Sequence, residues 1–174
     1  MAGGGSIALL ASGQAGYDIL RGAGSITRYT GSTVFSIVNN GGSIRPGDTT
    51  ATPAIGTLTV NNGNLTNTAT GKIYFDFATT TNDQIAISGG TATLAGTLTF
   101  TNAPGFTPVK GMGKNWDFVR ADSITYSATD DMTALMTSYG LAGADYTFGV
   151  VTDGAVRALR LKIFNKPGTV VFIR

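Results

Sequence analysis

Short alternations of apolar and polar residues run through the middle of the chain. Thr57-Leu58-Thr59-Val60 alternates, Asn61-Asn62-Gly63 turns, and Asn64-Leu65-Thr66 follows before Thr70-Gly71. In Lys72-Ile73-Tyr74-Phe75-Asp76-Phe77 the apolar Ile73, Phe75 and Phe77 share one face, which points Asp76 outward to solvent. Beyond Thr79–Asp83 come Ile85 and Ile87, Gly89-Gly90, Leu94, and then Gly96-Thr97-Leu98-Thr99-Phe100. A period of two, bounded by Gly, Asn and Asp, predicts short strands with one buried face.

The same zone reads as two copies of one unit. Leu58/Val60 lies on Ile85/Ile87, Leu65 near Leu94, and Ile73/Phe75 on Leu98/Phe100. A repeat of about 25 residues carrying three short strands has the size of one coil of a β-solenoid. In such a coil Leu, Ile, Val and Phe stack in interior ladders while Thr and Asn face water. Gly and Asn supply the corners. A meandering β-sandwich alternates in a similar way and stands as the alternative fold.

Around residue 103 the pattern changes. Met132, Leu135, Met136 and Tyr139 fall at i, i+3, i+4 and i+7, one face of a short helix. Ser127 or Thr129 is its predicted cap, Asp130-Asp131 suit the positive end of its dipole, and Gly140 its stop. Strands are predicted at 116–119, 146–151, 156–163 and 169–173. The division expected is residues 1–102 as coils, with 1–30 an ill-defined N-terminal cap or lead-in. Residues 103–174 then form a C-terminal cap of strands, one short helix and a terminal strand.

Composition supports the all-β class. Glycine numbers 25, threonine is more plentiful still, and every acidic residue is Asp. Straight-chain helix formers are thus scarce and β-branched residues abundant. There is no cysteine and no histidine. Thiolate sites, disulfides and Ser/His/Asp or Cys/His catalysis are therefore excluded. The net charge of +2 is small and its basic residues are dispersed, so nucleic acid is not an expected partner. No apolar run approaches the ~18 residues that span a bilayer. The apolar stretch Ile7–Ala11 has no preceding Lys or Arg and does not read as a signal peptide.

Three stretches resemble the autotransporter-associated β-strand repeat proteins. Gly41-Gly42-Ser43-Ile44-Arg45-Pro46-Gly47-Asp48, followed by Ile55–Val60, looks like the family's "GGTLAPG…GTLTV" unit. Asn82–Thr99 is similar to its "D-x-L-x-V-x-G-x-A-x-L-x-G-x-L-x-V" unit. Phe106-Thr107-Pro108 with Trp116-Asp117-Phe118-Val119 looks like the strand that follows. Together these cover about residues 41–120. The resemblance implies a right-handed parallel β-helix exported to the cell surface. Residues 1–30 match poorly, and no outer-membrane barrel follows.

Candidate chemistry is sparse. Pectate-lyase-type enzymes share the solenoid fold and hold calcium on Asp. Here Asp48, Asp76 and Asp83, with Arg45 and Lys72 as partners, do not stand at spacings that gather them on one face. Gly111-Met112-Gly113-Lys114 lacks the full phosphate-loop pattern and reads as a surface turn. Trp116 and Tyr126 read as buried anchors of the cap rather than a sugar platform. The expectation is a non-enzymatic extracellular structural protein, without cofactor or metal: a stalk, surface layer or self-assembling fibre subunit. An adhesin recognising carbohydrate or host protein is the alternative, and a polysaccharide-active enzyme a marginal one. The expected partner is the chain itself, through end-to-end stacking or strand addition, with surface carbohydrate as the alternative; Thr169, Val170, Val171, Phe172 and Ile173 either close their own domain or extend to a neighbouring subunit.

Overall fold

The structure is a computed structural model, and it describes residues 5–10, 19–27, 35–48 and 54–165. Strands come in threes. The first trio is β1 (Gly5–Leu10), β2 (Ile19–Gly22) and β3 (Gly24–Thr27). The second is β4 (Phe35–Asn40), β5 (Ser43–Pro46) and β6 (Thr57–Asn61). The third is β7 (Asn64–Asn67), β8 (Lys72–Phe77) and β9 (Gln84–Ser88). The fourth is β10 (Thr91–Leu94), β11 (Thr97–Asn102) and β12 (Met112–Ala121). After β13 (Ser123–Tyr126) and the two-residue β14 (Thr129–Asp130) come helix α1 (Met132–Ser138), β15 (Tyr146–Asp153) and β16 (Val156–Asn165).

The chain is all-β, and each strand pairs in parallel with the strand three places on. Sheet A runs β1-β4-β7-β10-β13, and sheet B runs β2-β5-β8-β11-β14. Sheet C runs β3-β6-β9-β12 and is extended by β16 and β15, which pair antiparallel. Among the described residues, antiparallel strand pairs like those of a meandering sandwich occur in this last part, with one isolated antiparallel bridge between Phe77 and Asn82. Parallel pairing continues past residue 102, through β13, whose Ile124 and Tyr126 pack on the core, and through the two-residue β14.

Register explains the sequence pattern. Leu58 pairs with Ile85 and Val60 with Ile87, while Ile73 pairs with Leu98 and Phe75 with Phe100, as the repeat predicts. Leu65, however, lies on Ala92, and Leu94 lies on Asn67, so the expected match of Leu65 with Leu94 is two residues out. The reason is that Asn67 points inward. Asn39 and Asn67, expected to face water, are both fully buried and directly paired across β4 and β7. Asn39 Nδ2 donates to Asn67 Oδ1 at 2.7 Å and to the Lys72 carbonyl at 3.0 Å; Asn67 Nδ2 donates to the Gly71 carbonyl at 3.3 Å. The amides take up backbone carbonyls left over where the chain turns from sheet A to sheet B, which compensates most of their burial, while Asn39 Oδ1 is buried without a partner among the described residues.

That corner also demands glycine. A Cβ at Gly96 would run into the carbonyls of Gly71 and Thr68 one layer away. Only a bare α-carbon lets the backbones approach at the layer spacing.

Inward residues of all three sheets join one apolar core. Toward the C-terminus the aliphatic columns give way to aromatics. Phe118 packs on Phe100 at 4.7 Å and Phe75 at 5.4 Å between ring centroids, and Phe77 meets Phe106 and Trp116 edge-on. The predicted helical face is present: Met132 and Met136 are fully buried, with Leu135 and Tyr139 packed beside them. Its start is not capped by Ser127 or Thr129, since Thr129 is committed to β14. Instead Asp130 Oδ1 accepts the Met132 N–H at 3.0 Å. Gly140, at φ +75°, ends the helix as expected.

Candidate functional site

The richest grouping of charge lies where sheet B hands over to sheet C. Strands β5 and β8 pair only at Ser43/Lys72 and Ile44/Ile73. Pro46 ends β5, and β6 begins at Thr57. Gly47, at φ +82°, lies so close to the residues before β6 that a Cβ would strike the Ala54 carbonyl and the Gly56 nitrogen. Here the Ala54 and Gly56 N–H groups donate to aspartate side chains.

Asp83, only 2% exposed, does most of this. Its Oδ1 accepts the Gly56 N–H of the preceding layer at 2.9 Å, and its Oδ2 accepts the Asp76 N–H of its own layer at 2.9 Å. The Asp83 N–H donates back to the Asp76 carbonyl at 2.7 Å, and Gln84 N–H donates to the Gly56 carbonyl at 3.0 Å. Asp48 Oδ1 accepts the Ala54 N–H at 3.2 Å. Arg45 lies 3.6 Å from Asp48 and flat over the Tyr74 ring, 3.8 Å from its centroid. Asp76 is half-buried rather than a solvated face residue. With Arg45, Asp48, Ala54, Ile55 and Asn102 it lines a cavity of about 350 Å³.

Stacking thus brings together Arg45, Asp48, Asp76 and Asp83, which sequence spacing had kept apart. Lys72 stays outside the group, exposed at the start of β8. The spacing argument failed because β5 and β6, and β8 and β9, are joined by segments longer than a tight turn. Residue number then no longer measures position around a layer.

Burial pushes the Asp83 carboxyl up to about 7, with Asp76 and Asp48 adding repulsion and the two backbone N–H donors opposing the rise. Asp76 is also raised, first by burial, then by Asp48, with Arg45 acting the other way. A carboxyl near neutrality suits proton exchange in general. Asp83, however, has both oxygens engaged by backbone amides and almost no exposure. The arrangement holds two layers together at a corner. Among the described residues, no group of three or more His, Cys, Asp or Glu is placed to hold a metal ion.

A second network lies on sheet C. Arg160 binds Asp117 through Nε at 2.5 Å and through a terminal nitrogen at 2.9 Å, and reaches Asp153 at 2.8 Å. Arg120 bridges the same two carboxylates at 2.6 and 2.9 Å. Asp153 is held below the usual carboxylate range by its hydrogen bonds from Arg120 and Arg160. The Asp117 backbone carbonyl accepts Asn82 Nδ2 at 2.7 Å and Gln84 Nε2 at 2.9 Å, which ties this network to the corner beneath it. The sequence offered no sign of it, because Asp117 and Arg160 are 43 positions apart.

The remaining predicted residues fall as follows. Trp116 is a buried anchor, 2% exposed, with Nε1 donating to the Ala78 carbonyl at 2.7 Å. Tyr126 is partly buried against Phe148 and donates its hydroxyl to Asp130. Asp131 does not face the helix end; its Oδ1 accepts the Phe100 N–H at 2.9 Å, where β14 has run out. Gly111 is in a turn and β12 begins at Met112. Thr169, Val170, Val171, Phe172 and Ile173 lie outside the described residues.

Among the described residues no helix is long and apolar enough to cross a membrane. A scan against protein-family models finds no match, and neither does a search of curated proteins.

Proposed function

We propose that this chain is a right-handed parallel β-helix (a β-solenoid) with a C-terminal cap, and that it serves outside the cell as a structural subunit. The observation that carries this reading is the in-register parallel stacking of successive strand trios. Ile7, Ile37, Leu65, Ala92 and Ile124 form one unbroken column in sheet A, and Leu20, Ile44, Ile73 and Leu98 form another in sheet B. Repetition of one cross-section builds length from little sequence information, which suits a stalk, surface layer or fibre. The repeats' likeness to autotransporter-associated β-strand units supports placement at the cell surface. Outward positions on the central strands are largely Thr and Asn, the surface of a scaffold rather than an aromatic binding platform.

The acidic corner fits the same reading. Among the described residues, Asp48, Asp83, Asp130, Asp131 and Asp145 each spend a carboxylate oxygen on a backbone N–H. A short acid reaches its own backbone where Glu would overshoot, so the aspartates hold the layers' irregular corners together.

Self-association through Thr169–Ile173 completes the proposal. Protease treatment and antibody labelling of intact producing cells, with electron microscopy of the purified protein, test it. Surface exposure with rods or filaments is expected, and a chain truncated after Asn165 loses the assemblies. Protein confined within cells as monomeric globules would overturn it.

A further inference from the structure

Among the described residues, sheet C has six strands where sheets A and B have five, so β15 stands in a row that the other two sheets do not share. It pairs with β16 on one side and has no neighbouring strand on the other among the described residues. The two strands are joined by the two-residue turn Gly154-Ala155, which makes Asp153 and Val156 a hydrogen-bonded pair. The same alternation holds at the far end, where the Phe164 N–H donates to the Asp145 carbonyl at 2.9 Å. Thr147, Gly149 and Val151 are thereby committed to β16. Tyr146, Phe148, Val150 and Thr152 turn their N–H and C=O groups to the open side. That edge carries none of the usual guards. Tyr146–Asp153 contains no Lys, Arg or Pro, and the register shift described for this sheet lies inside it, between β12 and β16. Phe148 and Val150 pack on the core yet stay partly exposed, so an added strand would cover apolar surface as well as backbone.

We propose that the open edge of β15 receives residues 169–173 of a second copy as an added strand; the contact rests on the self-association proposed above and names its acceptor. Thr169-Val170-Val171-Phe172-Ile173 is β-prone throughout. Extended, it measures about 16 Å, which fits within the roughly 20 Å from Tyr146 to Thr152. Where the tail starts decides whose edge it meets. Asn165 ends β16 with β12 on one side and the entry to β15 on the other. Only Lys166-Pro167-Gly168 separates it from Thr169. To reach the open edge of its own molecule the tail would cross the chain entering β15, a path that connections in sheets avoid. The tail of a second copy meets the edge directly from the open side. Each molecule then gives one strand and accepts one, a head-to-tail contact that propagates into a fibre.

The absence of cysteine from the chain makes the contact readable. Two single-cysteine variants of the full chain are mixed and oxidised: Thr147→Cys, at an exposed position of β15, and Val171→Cys in the tail. Their mixed disulfide is expected to form about tenfold faster or more than with Thr97→Cys, exposed on β11, in place of Thr147→Cys. Side chains alternate along an added strand, so Val170→Cys and Val171→Cys should differ clearly in rate; equal rates would mean that no strand is added. Thr152→Pro removes an outward N–H and spares the β16 ladder, and should shift the full chain to monomer in light scattering. The cross-linking decides the matter even if Thr152→Pro fails to fold. In the double variant Thr147→Cys/Val171→Cys, a disulfide closed within one molecule would put the tail on its own edge and overturn the proposal. Where the full chain assembles and the chain ending at Asn165 does not, yet β15 cross-links no faster than β11, self-association stands and this acceptor falls. A monomeric full chain removes both.

Discussion

The central layers and the C-terminal end solve the same problem by different means. From β4 to β11 each strand finds its hydrogen-bond partner in a near copy of itself, and the core between them is built of in-register columns, mostly aliphatic, with Phe75 stacked on Phe100. At the C-terminus there is no next copy. Sheet C is closed by the antiparallel β16–β15 pair, sheet B by a two-residue strand and a helix, and the interior by a cluster of rings. A repeat templates its neighbour but cannot template its own end, so the end needs bulk, a different strand direction and charge pairs. The cap should accordingly govern cooperativity, while a single layer tolerates more.

Phe118→Ala tests that asymmetry with the largest effect. Phe118 is fully buried and touches Phe75, Phe77, Phe100 and Phe148. Its loss should cost about 3–5 kcal/mol, read as a lower urea midpoint, and more than Ile85→Val in the columns, at about 1 kcal/mol. Equal costs would show that the two regions do not differ in this way.

Asn67→Ala comes next. It strips the acceptor from Asn39 Nδ2 and the donor from the Gly71 carbonyl inside a closed corner. A loss of about 2–3 kcal/mol is expected. The broken rung should also show in amide exchange of β7 before β12.

Gly96→Ala probes layer spacing alone. The added methyl meets two backbone carbonyls that cannot rotate away, and about 1–3 kcal/mol is expected. The same change at Gly143, where a Cβ meets nothing within 4 Å, should leave the urea midpoint nearly unmoved.

Acidification separates the two charged groups by sign. Asp153 is lowered by hydrogen bonds from Arg120 and Arg160, and Asp145 by its hydrogen bond from Lys110. Their contribution is present above the ordinary carboxylate value and is lost as pH falls below about 4. Asp83 acts oppositely, losing its contribution as pH rises toward 7. Urea midpoints should therefore peak between about pH 4 and 6 and fall on both sides. In Asp153→Asn the acid limb flattens while the neutral limb persists. The smallest effect belongs to Thr99→Ser, an outward position of β11, at below about 0.5 kcal/mol.

Much of this fold was legible because apolar alternation and turn residues are local signals. The pairs Leu58/Ile85 and Phe75/Phe100 follow from them directly. Matching apolar residues alone failed at Leu65, because the position aligned with Leu94 holds a buried Asn67 whose amide is satisfied by backbone. Strands β13 and β14 are too short for a pattern to stand out: β13 alternates over four residues only, and β14 is two residues defined by the ladder it joins. The acidic corner was illegible altogether. Asp48 and Asp83 lie outside the strands, and Asp76 of β8 meets them only through the stacking of neighbouring layers.

The chain's own pattern determined its class, its three-strand period, the inward residues of the central strands and the face of α1. Each of these depends on side-chain periodicity within a few residues. Only tertiary structure decided which layer meets which, that Asn39 and Asn67 turn inward, and that Asp48, Asp76 and Asp83 come together at one corner. Those outcomes arise from hydrogen-bonding groups left over when ladders part, and what is left over is known only once the layers are stacked.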